Sequence, residues 1–250
     1  MKKKAARSRK SFDSYAFVVA GGSNGLGRAT ALEAALKGYP VALIGRNLRD
    51  LQDAKDEILT TTEFKVEVSI HQCDLTKSAR VEAAFKKIKR IHGGARVLVN
   101  SAATWIAADS VEETSSDDIR KSLELNFFSA YNATRAFLKY PGREPAIINI
   151  GATASLQGWP SSLAFSIGKG ALRTYSQALA RELDPIGIHV AHIIVDGLID
   201  NKRTRKLNKG KSDNEFISMK SLANEIIRIA QQERSCWTFE LDVRPYNENW

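Results

Sequence analysis

The chain has 250 residues, 43% of them hydrophobic, which is enough to bury one sizeable core. It has no run of 18 or more apolar residues, so no membrane-crossing helix is implied. The formal net charge of +9 is concentrated: of 37 Lys and Arg residues, six lie within 1–10 and six within 202–211, and neither segment carries an acid. The rest of the chain holds 25 basic residues against 28 acidic ones. Its body is therefore not a basic particle, and a nucleic-acid role is disfavoured. The two basic segments read as a flexible leader (1–14) and a mobile, solubilising loop. Cys73 and Cys236 give no disulfide framework and suit a reducing, cytoplasmic compartment.

In chain order, apolar runs of strand length alternate with helix-period segments. Residues 15–20 predict a first strand and 25–37 a helix; 40–44 a second strand and 48–59 a helix; 64–71 a third strand and 77–92 a helix. A fourth strand at 96–100 precedes a long helix over 117–140, with a break near its start. A fifth strand covers 146–150 and the next helix 162–183, stopped by Asp184, Pro185 and Gly187. A sixth strand at 189–195, a helix at 218–232 and a seventh strand at 237–243 complete the pattern. Near-continuous Val/Ile/Leu strands separated by helices predict a seven-stranded, mainly parallel, doubly wound α/β sheet with helices on both faces. No linker or internal repeat interrupts it, so residues 15–250 read as a single domain.

The strongest local signal lies between the first strand and the first helix, where Gly21, Gly25 and Gly27 flank Ser23, Asn24 and Leu26. Bare backbone at the start of a helix offers free N–H groups and the positive end of the helix dipole, which is what a pyrophosphate needs. With the motifs that follow it, the chain resembles the short-chain dehydrogenases/reductases. That family's usual glycine motif opens with Thr, replaced here by Ala20. Asp74 and Leu75 resemble the pair that lies against the adenine. Asn100-Ser101-Ala102-Ala103 resembles the family's Asn-Asn-Ala-Gly turn, with two departures. Asn126 stands where the family keeps an Asn in its long helix, and Lys169 matches the Lys of its Tyr-x-x-x-Lys motif. Gly197 and Ile199 match backbone that passes the nicotinamide, although the Pro and the Thr found nearby in the family are Asp196 and Asn201 here.

The resemblance implies a nicotinamide dinucleotide as cofactor. The end of the second strand reads Gly45-Arg46-Asn47, with no acid to hold the ribose hydroxyls, so NADP(H) is favoured over NAD(H). It also implies a homodimer or homotetramer joined through the helices at 117–140 and 162–183, and a lid over the substrate after Asn201. The basic lid would suit an anionic small molecule.

The catalytic pattern is broken. The resemblance places the proton-donating Tyr at Phe165 and the substrate-holding Ser, thirteen residues earlier, at Ala152. Lys169 and Asn126 remain, so the half that serves the cofactor is kept and the half that supplies a proton is missing. Thr153 is the nearest substitute hydroxyl, while Ser155 and Ser166 read as turn and capping residues. Asp196 is a further candidate acid, and His192 reads as a buried, satisfied histidine. His71 and Cys73 have no further ligands near them, so no zinc site is expected. Two functions follow. One is an NADP(H)-dependent oxidoreductase acting on a carbonyl, alcohol or enone with a nonstandard proton donor; the other is a catalytically silent cofactor-binding sensor or partner subunit.

Overall fold

The structure, a computed structural model, describes residues 15–106 and 110–248. The basic leader lies outside the described residues. β1 (Ala16–Ala20), α1 (Gly25–Leu36), β2 (Val41–Gly45), α2 (Leu48–Thr61), β3 (Val68–Gln72), α3 (Ser78–His92) and β4 (Ala95–Asn100) follow in turn. After β4, α4 (Ser116–Leu123) passes through a π-helical turn (Glu124–Phe128) into α5 (Ser129–Phe137). Then come β5 (Pro141–Ile150), α6 (Leu163–Leu183), β6 (His189–Val195), β7 (Leu198–Ile199), α7 (Lys202–Leu207), β8 (Phe216–Ile217), α8 (Met219–Ala230) and β9 (Glu240–Val243).

Seven strands form one sheet in the order β3-β2-β1-β4-β5-β6-β9, and every pairing in it is parallel. Alternation along each strand sends successive side chains to opposite faces. Phe17 and Val19 pack with α1, α2 and α8, while Ala16, Val18 and Ala20 pack with α3, α5 and α6. The strand order reverses between β1 and β4, and in open parallel sheets the ligand crevice lies beyond the carboxyl ends at that reversal.

Several elements differ from the sequence expectation. The third strand begins at Val68 rather than 64, because Glu63 and Phe64 adopt left-handed backbone (φ 52° and 57°) in the turn that ends α2. The long helix, expected to break near its start, breaks at the π turn, where the Asn126 side chain is committed to the β4–α4 loop, and it stops at Phe137 rather than 140. β5 starts five residues earlier than expected, its Pro141 registering with Ala95 beside an irregularity in the pairing. The last strand shortens to Glu240–Val243, since Trp237 stacks on His189 instead (centroids 4.8 Å apart).

The basic stretch after Asn201 is not an unstructured loop. Asn201 caps α7 through Thr204, and Arg205 bonds both oxygens of Asp200 (2.7 and 2.9 Å). The same guanidinium also bonds Asp213 and lies 4.2 Å from the Phe216 ring centroid. One side chain thus folds the segment onto the β7–β8 ribbon. Among the described residues no helix is long and apolar enough to cross a membrane.

Candidate active site

The crevice floor is backbone. Gly21 has φ +90°, and a Cβ there would sit 2.6 Å from the Ala102 nitrogen, so the loops after β1 and β4 touch. A Cβ on Gly27 would run into the Gly21 carbonyl oxygen. Only glycine permits this approach, and it leaves the amino end of α1 bare. Asn24 is exposed at the N-cap position and its side chain makes no capping bond; Gly25 beside it is exposed with φ +53°. Leu26 is buried, and Ser23 packs against Gly45.

Beyond β2, Arg46 is exposed and its carbonyl accepts from Gln72. Asn47 accepts from the Arg49 and Asp50 N–H groups with its side-chain oxygen, which makes it the N-cap of α2. After β3, burial pushes the Asp74 carboxyl up. The Thr76 N–H and hydroxyl, with Lys77 and Arg46 nearby, outweigh burial and hold it below the usual carboxylate range. Leu75 is buried. Asn100 is buried and donates to Asn149 (2.8 Å) and Thr134 (3.3 Å).

Lys169 is 3% exposed, and its Nζ donates to the Ile150 carbonyl at 2.8 Å. Burial pulls this ammonium from 10.5 down to about 8. With one carbonyl bonded, the remaining N–H groups of a three-donor ammonium suit vicinal ribose hydroxyls. The glycine cradle and this cation fit a dinucleotide. Gly197, at φ +138°, and Ile199 in β7 follow β6 at the same edge of the sheet.

Where the chemistry would occur, polar groups are scarce. Phe165 is 8% exposed, and Ala152 is extended at the carboxyl end of β5. Trp105, which sequence reasoning missed, lies against Phe165 with ring centroids 4.8 Å apart, and the Lys169 Nζ is 5.8 Å from the same Phe165 centroid. The available signal was a tryptophan five residues beyond Asn100 in a loop at the crevice. Asn126 holds this arrangement: its oxygen accepts from the Thr104 N–H (2.9 Å), and its amide donates to the Thr104 carbonyl (3.0 Å) and the Ser122 hydroxyl (2.9 Å).

The substitute donors are engaged elsewhere. Thr153 donates its hydroxyl to Asp196 at 2.5 Å, and Asp196 lies 3.6 Å from the Arg244 guanidinium of the tail. Ser155 donates to the Ala152 carbonyl, and Ser166 accepts from the Trp159 N–H. His192 is only half satisfied. Its Nδ1 meets the Ser176 hydroxyl (3.2 Å) while its Nε2 has no partner, and burial lowers its pKa to about 4. His71 bonds Ser69, and the Cys73 thiol donates to the Asp74 carbonyl.

A glycine-floored crevice at the β1/β4 reversal, with a buried lysine on the helix after β5, defines a doubly wound α/β protein of the dinucleotide-binding class. The family model for short chain dehydrogenase matches residues 16–212. The 3-oxoacyl-[acyl-carrier-protein] reductase of Bos taurus is 31% identical over 194 residues, covering 76% of this chain and 78% of that one. A dehydrogenase/reductase from Sinorhizobium meliloti 1021 superposes with a TM-score of 0.82 at 26% identity, covering 93% of this chain and 94% of that chain. The NADPH-bound structure of a short chain oxidoreductase from Pseudomonas aeruginosa PAO1, containing an atypical catalytic centre, superposes with a TM-score of 0.85 at 23% identity. That match covers 96% of this chain and 99% of that one. This chain belongs to the short chain dehydrogenase family.

Proposed function

We propose that the protein is an NADP(H)-dependent oxidoreductase that acts on a carbonyl, alcohol or activated double bond without a side-chain proton donor at the usual Tyr position. The observation that carries this reading is Lys169: a buried, cationic group with donors to spare, kept beside the glycine cradle although both neighbouring hydroxyl positions are Phe165 and Ala152. NADPH supplies a hydride when bound. In this reading the Gly21–Gly27 backbone takes the pyrophosphate and Asp74 with Leu75 borders the adenine. Lys169 holds the ribose hydroxyls, and the Gly197 and Ile199 backbone meets the carboxamide. Arg46, exposed at the end of β2, forms paired bonds to a 2′-phosphate, and Asn47 and Ser23 flank it.

Asn126 acts by fixing the β4–α4 loop through Thr104. The Thr153 hydroxyl proton is held by Asp196, so the proton that completes a reduction comes from water or from an acid on the substrate. On α7, Lys202, Arg203 and Lys206 make no ion pair with another described residue, which suits a substrate with an anionic group remote from the reacting carbon. An aromatic cluster of Phe127 and Phe128 in the π turn, Tyr131 on α5 and Tyr175 on α6 supports self-association through these elements. The free thiols of Cys73 and Cys236 fit a reducing compartment.

Calorimetric titration with NADPH and NADH, followed by NADPH oxidation against a panel of ketones, aldehydes and enones, tests this reading. Micromolar binding with a clear NADPH preference and steady oxidation by one panel member is the expected result. Binding without oxidation by any of them would make the protein a silent cofactor-binding subunit.

A further inference from the structure

We infer that the part of the substrate bearing the reacting carbon is planar and apolar, an aromatic or conjugated ketone, aldehyde or enone, and that Trp105 selects it by stacking. This rests on the oxidoreductase reading above. Trp105 covers Phe165 with one part of its indole, and is itself 52% exposed while Phe165 is 8% exposed. The two ring planes are tilted by 43°, so the indole rests on Phe165 with part of its surface and leaves the rest open to a ligand. It is not a loosely hung side chain. Asn126 grips both the N–H and the carbonyl of Thr104, the residue before it, from a buried position in the π turn. Pre-organisation of this kind lowers the ordering cost of binding a ligand.

Two more large apolar side chains are exposed on the loop that joins the two altered catalytic positions: Leu156 at 46% and Trp159 at 50%. The Trp159 N–H bonds the Ser166 hydroxyl at 3.4 Å, which folds that loop back onto the first turn of α6, next to Phe165. Scattered exposed apolar residues need no explanation; here three lie on the loop carrying Trp105 and the loop leading to Phe165, where a flat ligand would meet them.

The polar inventory points the same way. The side chains of Ala152 and Phe165 offer no hydrogen bond, and Thr153 spends its proton on Asp196. A polyol brought against these groups would lose its bonds to water without replacement, whereas a flat apolar group loses nothing and gains area and stacking. Binding energy from that remote contact is also what a site lacking its acid needs to hold the carbonyl in place for a hydride.

The test is the affinity of 2-acetylnaphthalene for the protein loaded with NADP+, measured by calorimetry beside cyclohexyl methyl ketone, which carries the same carbonyl on a puckered ring. The naphthyl ketone is expected to bind more tightly. Trp105→Ala should weaken it roughly three- to tenfold and Trp105→Phe much less, with the NADP+ affinity unchanged in both variants. Equal affinity for the two ketones, or no effect of Trp105→Ala, overturns the proposal. Trp105-dependent binding with no NADPH oxidation by any panel member leaves the stacking surface standing and removes the reductase. Oxidation by small polar aldehydes with no naphthyl ketone binding does the reverse.

Discussion

The loop after β1 and the loop after β5 stand at the same edge of the same parallel sheet, yet they hold on to function differently. The first recognises through backbone: Gly21 and Gly27 let two turns approach so closely that a single Cβ would separate them. In the proposed reading the second recognises through side chains, and there Ala152 and Phe165 stand where the two hydroxyls are expected. Backbone N–H groups cannot be substituted away, and the glycines that expose them are enforced by packing. A catalytic hydroxyl is enforced by function alone, so its loss costs the fold nothing and an aromatic ring can fill the space. Lys169 lies between the two regimes, since it is a side chain whose burial the fold tolerates, in the proposed reading for the cofactor's sake.

The comparison breaks most visibly if the lost chemistry is restored. Phe165→Tyr with Ala152→Ser should raise kcat/KM for a ketone by roughly 100- to 10,000-fold, the usual worth of a positioned proton donor. Steady-state NADPH oxidation reads this. No gain would mean that Trp105 or the Thr153–Asp196 pair obstructs the hydroxyl.

Next in size is the burial of Lys169. Its pKa in the fold is about 8 against the ordinary lysine value of 10.5, so the unfolded chain binds the extra proton between those limits and stability must rise with pH there. The facing titratable group is His192, whose pKa of about 4 leaves it neutral throughout. Relative to Lys169→Met, the wild type should gain on the order of 3 kcal/mol between pH 8 and pH 10.5, read from urea midpoints of the two proteins. Parallel curves for the two would contradict the burial of a charged amine.

Gly27→Ala sharpens the backbone side of the comparison. Overpacking against the Gly21 carbonyl should cost about 1–3 kcal/mol of stability and loosen NADPH by a similar free energy. A thermal melt and a titration measure the two. If the cradle relaxes freely, both stay unchanged.

The smallest effect concerns Arg46. Removing an exposed guanidinium from a 2′-phosphate should cost NADPH about tenfold in affinity while leaving NADH nearly untouched. Equal losses for both cofactors would make Arg46 an ordinary loop residue.

The sequence by itself determined the order and type of the main elements, the parallel sheet and the glycine turn between β1 and α1. Those are read from local signals: period-2 and period-3.6 apolar patterns, glycines between strand and helix, and a lysine four residues beyond Phe165. It equally revealed that two hydroxyls were missing, because an absent side chain is visible in one dimension. What only the tertiary structure decided are contacts between residues far apart in the chain. Asn126 clamps Thr104 across 22 positions from within the π turn, which sets where the long helix breaks, at Glu124–Phe128. Thr153 is consumed by Asp196 from 43 residues away, and Arg205 gathers Asp200, Asp213 and Phe216 to turn an expected loop into a folded flap. Trp105 meets Phe165 sixty positions apart because two loops converge at the sheet's carboxyl edge, and sequence spacing carries no record of that convergence.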